Sequence, residues 1–298
     1  MAYVATFVSD SVRPALTDEL LRRLAQHLPA AEPPQWLDQT IAANIGFTPS
    51  PTSDDHAIHA ALRETLVGLP IDFILQPRAT RRKKLFVADM DSTMIAQECI
   101  DELADFVGLR AHVAAITERA MHGEIAFEPA LLERVALLRG LSANVITKII
   151  AERISLMPGA RTLVQTMRAH GTYTALVSGG FTLFTREIAA MIGFHTHRAN
   201  VLIIEDGKLA GRVREPVLGM SAKLDALEHF RATQGISVSE TLAIGDGAND
   251  LAMLKQAGLG VAFHAKPAVA AAAHARIDHC DLTALLYAQG YRRAEFRH

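Results

Sequence analysis

The sequence predicts an α/β protein: a doubly wound parallel sheet carrying a helical cap insertion, with a small α+β module at its N-terminus. Three observations predict it. Four apolar runs, LFVA (85–88), TALV (174–177), TLAIG (241–245) and LGVAF (259–263), are continuous rather than alternating, as strands buried on both faces require. Helical spacing fills the stretches at 160–170, 181–192, 222–234 and 248–257, which makes each strand–helix–strand unit a parallel crossover. The first three runs also end in acidic, hydroxyl-bearing or glycine residues, the types that line the crevice beyond the carboxyl ends of such a sheet.

Taken in order, VATFV reads as a strand, 16–28 and 55–67 as amphipathic helices, and IDFIL as a closing strand, so residues 1–80 form the small α+β module. A boundary falls near residue 80. The prolines at 29, 33, 34, 49 and 51 give this region a different texture from the rest, and the basic run Arg78, Arg81, Arg82, Lys83, Lys84 reads as a solvated linker. Residues 85–298 make the second domain. Within it, 94–154 repeats apolar residues at helical spacing (Ile95, Cys99, Leu103, Phe106; Leu131, Val135, Leu138) and is expected to be a helical insertion. VLIIEDGKLAGRVRE reads as a second, smaller insertion, a hairpin turning at Asp206-Gly207, and the Ala-rich 268–275 as helix.

Composition excludes several classes. The 298 residues include 50% apolar and 21% charged, with ordinary numbers of Gly (19) and Pro (12), which describes a folded globular chain. Thirty Lys+Arg against 32 Asp+Glu leave a net charge of -2, with no excess of positive charge to hold a nucleic acid. Cys99 and Cys280 form no zinc or disulfide spacing, so a reducing cytoplasm is expected. The N-terminus lacks a basic-then-apolar leader, and no run of about 18 apolar residues exists to span a membrane.

The residues that carry chemistry follow the apolar runs. After LFVA come Asp89 and Asp91, then Ser92 and Thr93; after TALV come Ser178, Gly179 and Gly180; after TLAIG come Asp246, Asn249 and Asp250. Carboxylates gathered at one crevice repel unless a cation joins them, and oxygen ligands are what Mg²⁺ takes. Ser178-Gly179-Gly180 precedes a helix, where a hydroxyl and backbone N–H groups meet an anion, and Lys223 at the start of another helix adds the point charge that phosphate oxygens call for. A magnesium-dependent phosphate site is the economical reading. His195 and His197 lack a carboxylate partner in sequence and are set aside as surface residues, and Cys99 reads as a small buried hydrophobe.

DMDST (89–93), VSGG (177–180), Lys223 and GDGAND (245–250) resemble, in order, the four motifs of the haloacid-dehalogenase (HAD) superfamily. The likeness covers roughly residues 85–290. DMDSTMIAQECIDELA, MHGEIAFEPALLERVALL, ANVLIIEDGKLAG and AIGDGANDLAMLKQAGLGVAFHAKP narrow it to a resemblance to the phosphoserine phosphatases. Ala88 and Met90 depart from the more usual residues of the first motif and leave its chemistry untouched.

This resemblance implies hydrolysis of O-phosphoserine to serine and phosphate, the last step of serine synthesis. It makes Asp89 the nucleophile and Asp91 the acid and base. Mg²⁺ would be held by an Asp89 oxygen, the Asp91 backbone carbonyl and Asp246, with Asp250 supporting it. Ser178, Gly179 and Lys223 would hold the phosphoryl oxygens, with Asn249 close by. In the cap it implies Glu98 for the substrate ammonium, Arg134 for its carboxylate, and Phe127 and Met121 for an apolar lid. The N-terminal module is reminiscent of ACT-type amino-acid-sensing domains, and a packing or dimerisation role fits its texture as well, so a homo-oligomer is left open. Two alternatives stand beside this reading: another small phosphomonoester such as phosphohomoserine, taken by a phosphatase or phosphotransferase, and a non-catalytic amino-acid sensor, against which the intact carboxylates and Lys223 argue.

Overall fold

The described residues of the first eighty fold as an antiparallel sheet with two helices on one face. The computed structural model describes residues 2–50, 53–121 and 124–298, apart from the side chains of Ala120 and Met121. In order the module contains β1 (Tyr3–Ser9), α1 (Asp18–Ala25), β2 (Gln35–Asp38), β3 (Ala42–Phe47), α2 (Asp55–Thr65) and β4 (Ile71–Pro77), with sheet order β2-β3-β1-β4. Helix α1 is shorter than its apolar pattern because Thr17 caps it, accepting the Leu20 N–H, and α2 begins where Asp54 accepts the His56 N–H. Ala5, Phe7 and Ile45 pack on Leu21, Leu24 and Leu62 of the helices.

The opposite face of this sheet is also covered. Val8, Ala42 and Ile74 join the core of the rest of the chain, which includes α12 (Ala284–Ala288) near the C-terminus. Three backbone N–H groups, of Asp278, His279 and Cys280, donate to the Asp72 carboxylate at 2.9, 3.0 and 2.8 Å, and Gln76 Nε2 donates to Ala288 O. The basic run is therefore no solvated linker throughout. Lys83 is buried, with its Nζ donating to Ser239 O and burial lowering its pKa to about 8, and Arg82 stacks over the Tyr291 ring. Its charges stay near the surface at Arg78, Arg82 and Lys84, which pair with Glu32, Glu295 and Glu240.

The second sheet is parallel, in the order β12-β11-β10-β5-β6-β7. Its strands are β5 (Leu85–Ala88), β6 (Tyr173–Phe181), β7 (Thr196–Asn200), β10 (Thr241–Gly245), β11 (Leu259–Phe263) and β12 (Ala275–Ile277). Side chains alternate across it. Leu85, Val87, Ala175 and Val177 face α9 (Ala222–Thr233), α10 (Leu251–Gln256) and α11 (Pro267–Ala272), whereas Phe86, Ala88 and Leu176 face α7 (Ala160–Ala169), α8 (Thr182–Ile192) and α12. Because helices cover both faces, the central strands read as unbroken apolar runs. The sheet order reverses at β5, between β10 and β6, so the crevice opens where these three strands end.

Four helices, α3 (Cys99–Phe106), α4 (Arg110–Met121), α5 (Phe127–Ala136) and α6 (Asn144–Arg153), form the insertion after β5. The expected hairpin is present as β8 (Leu202–Glu205) and β9 (Lys208–Val213), and it packs on this cap: Gly140 N–H donates to Leu209 O, and Leu209 N–H to Leu141 O. Two expectations are corrected. The Ala-rich stretch is helical only to Ala272 and turns into β12 at Ala275, and the expected helix at 248–257 begins as a 3-10 turn (Ala248–Asp250) before α10.

Candidate active site

Asp89 continues directly from β5, its N–H donating to Ile244 O of the neighbouring β10. One of its carboxylate oxygens, Oδ1, accepts the Met90 N–H at 2.8 Å and lies 2.7 Å from Lys223 Nζ. Lys223 stands in the first turn of α9 and also reaches Asp250 Oδ1 at 2.6 Å. Asp89, Lys223 and Asp250 are only 5%, 3% and 0% exposed. Gly245 makes this possible, since a Cβ at the end of β10 would fall on the Asp250 carboxylate. Asp250 is held further by the Gly247 N–H, and Asp246 accepts from the buried Thr93 hydroxyl at 3.2 Å.

One ligand oxygen each from Asp89, Asp246 and Asp250 lies within 4.8 Å of the others. Of these three carboxylates, Asp89 and Asp250 pair with the Lys223 ammonium. The electrostatics follow: burial first, then Asp250, push the Asp89 carboxyl well above the ordinary carboxylate range despite Lys223, and the same two causes raise Asp246. Burial alone would lower the Lys223 ammonium, but Asp89 and Asp250 outweigh it and raise its pKa. The cluster thus holds more negative charge than Lys223 neutralises, in an all-oxygen donor set that suits a hard divalent cation. It fits a metal ion.

Asp91 is held by other partners than this cluster. Its Oδ1 accepts the Cys99 N–H at the start of α3 at 2.9 Å, and its Oδ2 accepts the Ser178 hydroxyl at 3.0 Å. Ser178 Oγ in turn accepts the Gly180 N–H. Phe127 of the cap reaches over Gly179, its Cζ 3.4 Å from where a Cβ would stand. Asn249 lies in the 3-10 turn with its side-chain oxygen over Gly247. The Cys99 thiol is buried, and burial with Asp91 beside it holds its pKa far above neutrality, which keeps it an inert packing group.

Glu98 sits at the crevice mouth at the head of α3, its Oε1 accepting the Ser92 hydroxyl at 2.7 Å. It is open to solvent yet hemmed in by protein, and desolvation followed by the Asp91 charge raises its pKa to about 7. Arg134 is half-buried on α5, donating to Ala130 O and Thr117 Oγ1; burial lowers its pKa, and the charges of Asp101 and Glu98 oppose that only in part. An ammonium facing Glu98 and a carboxylate facing Arg134 would both find opposite charge. Met121 carries the remaining cap expectation, and its side chain lies outside the described residues.

The structure therefore brings Asp89, Asp91, Ser178, Gly179, Lys223, Asp246 and Asn249 to the ends of β5, β6 and β10, with Glu98 and Arg134 on the cap. His197 lies on the edge strand β7 and His195 directly before it, where their rings bond to Thr185 and Thr174. Sequence reasoning gave no role to the hydroxyls of Thr93 and Ser92, one fixing Asp246 and the other Glu98; their place directly after Asp91 was the available signal. A cavity of about 470 Å³ bordered by Arg13, His59, Phe73 and Arg276 lies at the seam with the N-terminal module, away from these carboxylates.

The sequence model of the haloacid dehalogenase-like hydrolases matches residues 86–255. A phosphoserine phosphatase of Streptomyces coelicolor is 43% identical over 235 residues, which cover 79% of this chain and 57% of that protein, so the chain spans little more than half of that relative's length. Among solved structures, a HAD family hydrolase from Salmonella enterica serovar Typhi superposes with a TM-score of 0.85 at 28% identity, covering 96% of this chain and 97% of its own. A phospho-aspartyl intermediate analogue of phosphoserine phosphatase superposes with a TM-score of 0.64 at 40% identity, over 69% of this chain and 98% of that one.

Proposed function

Since the chain belongs to the haloacid dehalogenase-like hydrolases, we propose that it hydrolyses O-phosphoserine to serine and phosphate with Mg²⁺, in the cytoplasm, as the last step of serine synthesis. One observation carries the reading. Asp89 is buried against Lys223 in a carboxylate cluster while Asp91, one residue on, is held separately by Ser178 and α3, so the two carboxylates are fitted to different tasks.

An Asp89 carboxylate oxygen attacks phosphorus, and the bond from phosphorus to the serine oxygen breaks as Asp91 gives that oxygen its proton. Asp91, now a carboxylate, takes a proton from water; the water oxygen attacks phosphorus, the bond to Asp89 breaks, and phosphate leaves. Lys223, Ser178 and the Gly179 backbone hold the nonbridging oxygens, with Asn249 beside them. Asp89, Asp246 and the Asp91 carbonyl would hold Mg²⁺, with Asp250 bracing Lys223 and the Gly247 turn. The cation supplies charge neutralisation, letting Asp89 ionise beside an anionic substrate. Glu98 and Arg134 select the ammonium and carboxylate, and Phe127 shields the bond from water.

A panel of phosphomonoesters assayed with and without Mg²⁺ tests this. Preference for phosphoserine, dependent on the metal, is expected; equal turnover of esters lacking an amino acid moiety would remove the substrate assignment.

A further inference from the structure

We propose that Asn200 is a positioning residue for phosphate binding, a buried amide that holds the Ser178–Gly180 loop in register with the segment leading to Lys223. The inference deepens the proposed function and rests on its phosphate site. Its starting point is a break in a ladder. Strands β6 and β7 pair regularly as far as Val177↔Arg198 and resume at Phe181↔Asn200, so three residues, Ser178 to Gly180, stand opposite Ala199 alone. The surplus bulges toward the crevice and loses its ladder partners.

Side chains replace those partners. Ser178 Oγ accepts the Gly180 N–H, and Asn200 Nδ2 donates to Gly179 O at 3.0 Å. Asn200 is 2% exposed, and its other end faces a different element: Oδ1 accepts the Leu218 N–H at 2.8 Å, while Nδ2 also approaches Leu218 O at 3.4 Å. Leu218 stands five residues before Lys223, in the chain entering α9, and the next residue, Gly219, lies against Glu128 of the cap. One amide thus fixes the spacing between the two elements that would hold phosphoryl oxygens from different sides. No aliphatic side chain can donate to one element and accept from the other. Every phosphoryl ligand needs this spacing, whatever its leaving group, which separates Asn200 from the cap residues that read serine.

The test compares Asn200→Ala, Asn200→Ser and Asn200→Asp with wild type, using phosphoserine, p-nitrophenyl phosphate and inhibition by inorganic phosphate, with the folded fraction checked by circular dichroism. The inhibition constant of phosphate and both KM values should rise about tenfold, the scale of a small misplacement of binding groups. Asp restores the acceptor for Leu218 but not the donor to Gly179, and should not rescue them. Lowered melting temperature with unchanged KM and phosphate inhibition would make Asn200 merely structural and overturn the proposal, as would failure of all three variants to fold. A wild type that prefers another ester removes the phosphoserine assignment but leaves this test intact, because phosphate itself is the probe.

Discussion

Lys223 Nζ lies 2.7 Å from Asp89 Oδ1, and both side chains are buried. The contact joins the first strand of the parallel sheet to a helix 134 positions later in the chain, and it is shared with Asp250. A lone ammonium between two buried carboxylates holds both in place while leaving the cluster short of positive charge.

Lys223→Met should therefore be costly in two ways. Two buried carboxylates lose their partner, which destabilises by about 3–5 kcal/mol on the scale of a broken buried pair. Thermal unfolding in chelator is the measure. An unchanged melting temperature would mean the carboxylates take up protons at little cost and that Lys223 does not organise the site.

Mg²⁺ should stabilise as well as activate. At a hundredfold excess over its dissociation constant, a ligand of the native state adds about 2.7 kcal/mol. Asp246→Asn should reduce that increment and lower activity. Full turnover in excess chelator, with no shift in melting temperature on adding Mg²⁺, would remove the metal from the account.

Glu98 gives a pH signature. Its pKa is raised to about 7 by desolvation from the surrounding protein and by the Asp91 charge, so the free enzyme protonates it more readily than the unfolded chain does. Stability from this group is complete below its ordinary value of 4.5 and is lost as pH rises through about 7. Binding runs the opposite way, since an ammonium needs the carboxylate. The KM for phosphoserine should rise as pH falls below about 7, while that for p-nitrophenyl phosphate should not share the rise. Glu98→Gln should abolish the difference, and Arg134→Ala should raise KM for phosphoserine alone. Equal losses on both substrates would show that these residues serve the cap rather than recognition.

Asp72 connects the N-terminal sheet to the backbone after β12, accepting three N–H groups from a nearly buried position. Asp72→Ala leaves those donors without their acceptor and should lower stability by about 2–4 kcal/mol, from a penalty of about 1–3 kcal/mol for each donor that water fails to reach. Turnover per folded molecule should hardly change, because every residue of the proposed chemistry lies beyond residue 85. A truncation starting near residue 80 should keep those residues but bare the surface of α12 that Val8 and Ile74 cover, and so should be less stable than the full chain. A melting temperature unaffected by Asp72→Ala would show that the two sheets are joined by apolar packing alone.

The strands that support the crevice were legible because their burial on both faces wrote itself as uninterrupted apolar runs, and their ends as Asp89, Ser178 and Asp246. Other strands were not. Residues of β7, Thr-His-Arg-Ala-Asn, satisfy an edge and a side-chain network rather than a core, and β12 is three residues long beside an Ala-rich helix. Strand β3, Ala-Ala-Asn-Ile-Gly-Phe, is fully buried yet poor in β-branched residues, so its composition does not announce a strand. The site shows the same division. Residue types announced the carboxylates and Lys223, but the sharing of Lys223 by Asp89 and Asp250, and the part of Asn200, depend on contacts between distant segments that no local pattern encodes.

The central claim is that Asp89 becomes covalently phosphorylated. Rapid acid quenching during turnover of phosphoserine, followed by reduction with tritiated borohydride and peptide mapping, reads this directly, because hydride displaces the phosphate of an acyl-phosphate and leaves a labelled alcohol at the residue that carried it. Conversion of Asp89 to homoserine, absent without substrate, is the expected result, and Asp89→Asn should abolish both label and turnover while keeping the fold. Label on any other residue, or undiminished turnover by Asp89→Asn, would contradict the account.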